Sequence, residues 1–321
     1  MSNVRLSFCI PTYNFGEFIG QTLESIISQA GDDVEIVVGD GASTDNTAEI
    51  VRSYQPIFPG LFYHQFDKKG GIDLDLNRTV GLSTGEYCWL MSSDDCLKPG
   101  AIRRALDEIK LEHDVYLCNR TRCDRTLNPI ANQLWLSNKV TDQTFHFSNE
   151  SELVDYLRAA RSIGALFSYV SSIIVRRNKW DEVGYDEKFS GSNYAHVSRL
   201  FSILQAGKST LKYIKEPLVL CRGDNDSFLD KGIVNRLLID FDGYQLLSEN
   251  LFAKKTIRNA FKAVVEREHK WLPFLGIKNQ ADDRQWADLK KSLVNYGYRY
   301  RLSVGIFKYS GLLHRIKKKF W

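Results

Sequence analysis

The stretch Tyr87-Cys88-Trp89-Leu90-Met91-Ser92-Ser93-Asp94-Asp95 decides how this chain folds and what it can bind. Its apolar first half reads as a buried strand, and that strand runs out into two adjacent carboxylates. Pro99-Gly100 then breaks the chain ahead of a helical stretch. Neighbouring acids at a strand exit repel each other and cost stability unless a cation or a hydrogen-bond network neutralises them. A divalent metal carrying a diphosphate is the most economical explanation.

Upstream, strands alternate with helices. Leu6–Ile10 reads as a strand closed by Pro11, and Glu17–Gln29 as a helix with Phe18, Leu23, Ile26 and Ile27 on one face. Glu35–Val38 is a second buried strand, and Ser43-Thr44-Asp45 leads into a helix over Thr47–Tyr54, with Ser43 or Asp45 as its cap. Leu61–Phe66 reads as a third strand, and Asp75–Leu82 as a helix stopped by Thr84-Gly85. This alternation predicts an α/β fold with a mostly parallel, mixed sheet flanked by helices. Ligands of such sheets sit at the carboxyl ends of the strands. Three polar loops leave there: Thr12-Tyr13-Asn14, Asp40-Gly41-Ala42-Ser43 and Ser93-Asp94-Asp95.

From Arg125 to Arg222 the pattern is less regular. Phe167–Val175 reads as a strand of a mixed sheet, Val197–Leu204 as a helix before Gly207, and Leu218–Leu220 as another strand. Beyond Asp230 the spacing of Ile233, Leu237, Leu238, Phe241 and Leu246 is helical. The expected organisation is a domain over 1–228, its nucleotide side in 1–124 and its acceptor side in 125–228, followed by a basic helical extension over 229–321.

The chain has 321 residues, 43% of them hydrophobic, enough for a sizeable core. A net charge of +4 does not by itself argue for nucleic acid. The six cysteines form no CxxC pair, and Cys9 and Cys88 fall inside strands as small apolar residues. With no signal peptide before the first strand and no run able to span a bilayer, the expectation is a reduced, cytoplasmic protein.

The loops suggest nucleotide chemistry. Asp40 would accept hydrogen bonds from a base N–H or a ribose hydroxyl, and Pro11 and Tyr13 offer flat surfaces for stacking. The alternative is that Asp40 and Asp45 are turn and cap residues. At Asp94-Asp95, Mg²⁺ or Mn²⁺ would bind one carboxylate while the other orients a sugar hydroxyl or water. The metal would neutralise charge on a departing nucleoside diphosphate.

Leu6–Asn14 (LSFCIPTYN), Glu35–Thr47 (EIVVGDGASTDNT), Thr84–Asp95 (TGEYCWLMSSDD) and Pro99-Gly100 resemble family 2 glycosyltransferases of the GT-A (Rossmann-like) fold, over roughly the first hundred residues. The resemblance implies a hexosyltransferase-type enzyme that moves a sugar from a nucleotide-sugar with a divalent metal, Mn²⁺ or Mg²⁺. It implies nucleoside binding by Thr12, Tyr13 and Asp40, a metal ligand in Asp95, the last residue of a DxD-like motif, and a donor-sugar or ribose contact in Asp94.

Three departures accompany it. Gly41 stands where the family commonly has a second acid after Asp40. Leu74 replaces an expected Asp, leaving Asp73 or Asp75 to substitute. In inverting members an acidic base precedes a helical Arg; here Asn193 occupies that position before Arg199, and Asn cannot take a proton. His196 could serve as base or bind the acceptor, or be a helix residue bonded to its surroundings.

Gly70–Asp75, Tyr194–Val197 and Leu220–Phe228 are further similar to a bacterial subgroup described as abequosyltransferase-like, which adds dideoxyhexoses to lipid-linked O-antigen units in lipopolysaccharide synthesis. In the last segment Asp224 or Asp226 would replace a metal-site His of other members, and Arg222 would pair with phosphate; the alternative is an Asx-type loop with a surface Arg.

After Asp288 the chain has no acidic residue. Lys290, Lys291, Arg299, Arg301, Lys308, Arg315 and Lys317–Lys319 share the tail with Tyr296, Tyr298, Tyr300, Phe307, Tyr309, Phe320 and Trp321. Such a tail suits an anionic membrane surface, and a polyprenyl-diphosphate-linked glycan acceptor at the inner leaflet; no nucleic-acid motif accompanies it. The competing readings are a nucleotidyltransferase, which would need a Gly-rich basic loop that Pro11–Asn14 does not provide, and a non-catalytic glycan- or membrane-binding protein of the same fold.

Overall fold

The computed structural model describes residues 4–225, 232–269 and 281–296. Its contacts divide the chain into two units, Met1–Asn225 and Asp226–Trp321. The boundary expected after residue 228 falls among residues 226–231, outside the described residues.

The first unit is built on a 10-stranded sheet. Its strands are β1 Leu6–Thr12, β2 Val34–Asp40, β3 Leu61–Gln65, β4 Tyr87–Leu90, β5 Cys96–Leu97, β6 Val115–Cys123, β7 Pro129–Gln133, β8 Gln143–Phe147, β9 Ile173–Arg176 and β10 Ser209–Cys221. The order is β3-β2-β1-β4-β9-β6-β10-β5, with β7 on β6 and β8 on β10. The half formed by β3, β2, β1 and β4 is parallel throughout. β9 then runs antiparallel to both β4 and β6, so the sheet is mixed across its middle.

Helices α1 Gly16–Ile27, α2 Thr47–Tyr54, α3 Gly71–Gly81 and α4 Ala101–Ile109 follow the early strands; α5 Glu150–Ala159, α6 Arg177–Glu182 and α7 Ala195–Gln205 belong to the second half. The main core joins Phe8, Ile10, Ile36, Val38 and Trp89 to Leu23 and Ile26 of α1 and Ile102 of α4. Phe8 and Trp89 stack with ring centroids 5.1 Å apart.

Several boundaries move. α3 starts at Gly71 rather than Asp75, because its first turn carries acids that read as a loop. The run expected as one strand from Phe167 begins at the end of one 3₁₀ turn, Ile163–Leu166, and holds a second, Val170–Ser172, before β9. Leu218–Leu220 is only the end of the 13-residue β10, whose earlier part carries Lys212, Lys215, Glu216 and Pro217 and so lacks a clean alternation.

Pro11 lies inside β1, paired with Gly39 of β2. Met91 N donates to Cys9 O, so the backbone of Cys9, and of Pro11 two residues on, points toward β4, which ends at Leu90. No partner strand asks for the N–H that proline lacks. Pro11 is buried, so it offers no stacking surface; that expectation is corrected here.

At the opposite end of the sheet Glu35 is buried but saturated. Its Oε1 accepts from Ser7 Oγ at 2.6 Å and Thr84 N at 2.5 Å, and its Oε2 from Thr84 Oγ1 at 2.8 Å. One carboxylate thereby locks the turn before β4 to β1 and β2, which sets where the Asp94-Asp95 loop emerges.

The second unit contains α8 Ile233–Leu251, α9 Lys255–Glu268 and α10 Asp283–Asn295. Phe241, Tyr244, Phe261 and Tyr296 are buried, and Asp282 starts α10 with a reciprocal cap to Gln285. Among the described residues no helix is long and apolar enough to cross a membrane. The basic aromatic tail beyond Tyr296 lies outside the described residues.

Glu35→Ala strands donors from Ser7, Thr84 and Gly85, so it should lower unfolding free energy by about 2–4 kcal/mol. A urea titration with an unchanged midpoint would show that the Glu35 network does not hold the sheet edge.

Candidate active site

β2, β1 and β4 are adjacent and parallel, so their carboxyl ends open side by side, strands about 4.8 Å apart. The loops leaving β1 and β2 are fastened to each other. Asn14, held at φ 56°, donates its N–H to Ser43 Oγ at 2.8 Å, and its Oδ1 accepts from Thr44 N at 2.8 Å. Asp45 accepts from Gly16 N and Thr47 N, each at 3.0 Å, and so ties the first residues of α1 and α2 together. The N-cap position of α2 is Asn46 rather than the expected Ser43 or Asp45, with the Asp45 carboxylate reaching Thr47 N from one residue earlier.

Asp40 ends β2 fully buried. Its Oδ1 accepts from Ser43 N at 2.7 Å and its Oδ2 from Tyr63 Oη at 2.5 Å. This carboxylate shapes the loop that would meet a nucleoside. Thr12 ends β1 with a buried Oγ1 that has no hydrogen-bond partner. Tyr13 is half-buried, with Lys69 Nζ 3.8 Å from its ring centroid.

The two acids after β4 have unlike surroundings. Asp95 is only 2% exposed. Its Oδ2 accepts from Tyr169 Oη at 2.5 Å and Ser171 Oγ at 2.6 Å, and its Oδ1 from Arg222 N at 3.2 Å. Asp94 is half-buried and accepts from Ser92 Oγ and, at 2.6 Å, from Asn225 Nδ2. Both carboxylates are thus engaged within the protein, Asp95 enclosed and Asp94 half-buried at the strand exit.

Arg222 is also corrected. It is buried, with Nε on Asp94 O at 2.9 Å, one terminal nitrogen on Arg125 O at 2.6 Å and the other on Gln21 Oε1 at 2.6 Å. It ties the Asp94 loop, the end of β10 and α1 together, with three of its five N–H groups donating inside the protein. Asp224 is exposed at φ 58°, and Asn225, not Asp224, reaches Asp94. Asp226 lies outside the described residues.

Asp73 and Asp75 face apart. Asp73 accepts from Asn193 N and Ala195 N, both at 2.9 Å, so it caps α7 and is not a nucleotide ligand. Asp75 turns to the β2 loop and accepts from Gly70 N at 3.0 and 3.1 Å. Asn193 sits half-buried before α7 at φ 68°, a conformation that Asn tolerates.

His196 faces inward at 4% exposure. Its Nε2 lies 2.9 Å from Phe167 O, which fixes the proton on Nε2, and its Nδ1 is enclosed without a partner. Burial, opposed by the nearby Asp73 charge, holds its pKa below the ordinary value. A neutral imidazole closed off from solvent is not placed to deprotonate an acceptor, and this expectation is corrected.

Tyr169, Ser171, Gln21 and Arg120 were not anticipated. Arg120 stands 4.2 Å over the Tyr169 ring and carries a cation beside the acid pair. Polar Tyr169, Ser171 and Ser172 interrupt an apolar run, the one signal in the sequence that could have marked them. Among the described residues no three His, Cys, Asp or Glu side chains gather into a metal cage. Asp94, with the Ser92 hydroxyl and the Asn225 amide beside it, fits a hard cation that keeps water and diphosphate oxygens in its shell.

Residues 7–169 match the profile of Glycosyl transferase family 2. The abequosyltransferase RfbV of Salmonella typhimurium is 33% identical over 97% of this chain and 95% of its own length. The chondroitin synthase of Escherichia coli is 34% identical over 40% of this chain and 19% of its own. The crystal structure of S. aureus TarS 1-349 in complex with UDP-GlcNAc superposes with a TM-score of 0.67 at 15% identity, covering 98% of this chain and 92% of that one. The Pyrobaculum calidifontis mannosyltransferase PcManGT, in complex with GDP-Man and Mn²⁺, gives 0.57 at 17% identity over 98% and 87%. Both share the GT-A fold with this chain.

The Asp95 carboxyl is pushed up to about 7, first by burial and then by the charge of Asp94, against the pull of Ser171, Tyr169 and Arg120. A carboxyl that holds its proton more tightly folded than unfolded stabilises most below about pH 4, and that contribution is lost as pH rises through about 7. Between about pH 5 and about pH 8, wild-type urea midpoints should fall more steeply than those of Asp95→Asn. Parallel curves would place the titration elsewhere.

Proposed function

The chain belongs to glycosyl transferase family 2, and from that premise we propose that it binds its donor across the ends of β1, β2 and β4. It is a glycosyltransferase, which removes the nucleotidyltransferase reading. The nucleoside lies against Thr12, Tyr13 and the Asp40 loop, and the diphosphate reaches Asp94. The observation that supports this is the unequal burial of the two acids: Asp95 is enclosed by Tyr169 and Ser171, and Asp94 is half-buried at the strand exit.

Mn²⁺ or Mg²⁺, when bound, supplies positive charge against the leaving diphosphate. The chain's own residues do the rest. Arg222 and Asp95 hold the Asp94 backbone and its loop in place, so the carboxylate needs little rearrangement to bind. Asn225 donates to the same carboxylate from the end of the β10 loop. A proton acceptor for the incoming hydroxyl is not assigned, since neither Asn193 nor His196 suits it.

The relationship to an abequosyltransferase along nearly the whole chain supports a deoxy- or dideoxyhexose donor and a lipid-linked O-antigen or related surface-glycan acceptor. That acceptor in turn suits an enzyme held peripherally at the inner leaflet of the plasma membrane.

Purified protein with Mn²⁺ should release nucleoside diphosphate slowly from a matching nucleotide-sugar in a donor panel. Asp94→Asn should lower that rate by about 100-fold or more with an unchanged thermal midpoint. Full activity in Asp94→Asn would overturn the proposed site.

A further inference from the structure

We infer that His196 is a positioning residue: its hydrogen bond to the Phe167 carbonyl holds a left-handed turn from which Tyr169 and Ser171 reach the Asp95 carboxylate. The consequence for the donor rests on the reading above; the positioning itself is a property of the free protein.

Phe167 has φ 62° and ψ 24°, the left-handed region that a bulky side chain enters only at a cost. Two residues of α7 hold it there. His196 Nε2 lies 2.9 Å from Phe167 O, and the Phe201 ring meets the buried Phe167 ring edge-on, with centroids 5.4 Å apart. On the preceding side Phe167 N donates to Gly164 O at 3.0 Å. A Cβ on Gly164 would fall 2.0 Å from Trp135 Cε3, so that turn is wedged in place as well.

The support of the acid pair follows directly. Tyr169 Oη and Ser171 Oγ both donate to Asp95 Oδ2, at 2.5 and 2.6 Å. Ser171 also accepts Ser92 N on its Oγ at 3.0 Å and Trp89 Nε1 on its carbonyl at 2.8 Å. Ser168 alone separates Phe167 from Tyr169, so a change in the Phe167 dihedrals swings the Tyr169 hydroxyl away from Asp95.

His196 is itself fixed. Asp73 accepts from Ala195 N at 2.9 Å, so α3 sets the start of α7 and with it the imidazole. Burial holds the His196 pKa below the ordinary value, and the ring acts as a neutral donor. Its Nδ1 is enclosed without a partner, a cost that an apolar side chain would avoid. The bond from Nε2 is what the imidazole supplies in return.

Three substitutions test this. His196→Leu removes the donor, His196→Asn keeps an amide too short to reach Phe167 O, and His196→Gln offers a neutral N–H at the reach of Nε2. In proton–nitrogen spectra of the metal-free protein, the Trp89 indole signal should move in His196→Leu and His196→Asn and stay in place in His196→Gln, because that indole bonds Ser171 O. Donor hydrolysis with Mn²⁺ should fall by about 10- to 100-fold in both loss variants and recover to within a few-fold in His196→Gln. The Mn²⁺ concentration for half-saturation should rise with the loss, which a fall in stability alone would not cause. An unmoved Trp89 signal in the loss variants, or equal impairment in all three, overturns the assignment. A moved signal with an unchanged Mn²⁺ requirement overturns its link to the donor. A wild type that releases no nucleoside diphosphate overturns the donor-site reading, and the Trp89 signal still tests the positioning role.

Discussion

Everything at the working end of this sheet depends on how one buried carboxylate is satisfied. Asp95 cannot be charged beside Asp94 in a dry interior without strong compensation. The compensation comes from Tyr169 and Ser171, far along the chain, and from the backbone of Arg222 where β10 ends. Ser171 Oγ also receives Ser92 N at 3.0 Å, which closes the loop onto itself. Two segments remote in sequence are pinned to one side chain, which fixes the loop that carries Asp94. Arg222 adds a second fastening through its guanidinium and reaches α1 at Gln21.

The nucleotide side obeys a different constraint, that of close approach. Gly39 and Gly41 let α3 lie directly on β2, which brings Asp75 to a strand exit that Asp40 alone would otherwise serve. Ala42 takes the turn at φ 65°, a strained choice that the Ser43 to Asp40 bond supports. The same side of the sheet thus carries one acid that builds the β2 loop and one, Asp75, that holds the start of α3 through Gly70 N.

The parallel half of the sheet was legible because its strands are continuous apolar runs closed by Pro, Asp or Gly. The three loops were legible for the same reason, since a strand end locates its exit. The roles of individual acids were not. Adjacent carboxylates look alike in a sequence, and which one is buried depends on Tyr169, Ser171 and Arg222, contacts that no local pattern announces. Asp73 and Asp75 differ by two helical positions, so a facing difference was visible, but only the place of α7 shows that Asp73 caps it. His196 read as a possible base from its chemistry; its enclosure by Phe167 and its neighbours belongs to packing alone. β6 to β8 escaped notice because Asn119, Arg120 and Arg122 interrupt β6, and β7 and β8 are short, mostly exposed and rich in neutral polar residues.

The central claim is that Asp94 meets the donor while Asp95 supports it from behind. The most direct measurement is a crystal structure with a bound nucleoside diphosphate and Mn²⁺. The account predicts an Asp94 oxygen in the metal shell, about 2.2 Å from the ion, with Asp95 still bonded to Tyr169 and Ser171. An ion ligated by Asp95, with Tyr169 and Ser171 displaced, would contradict it.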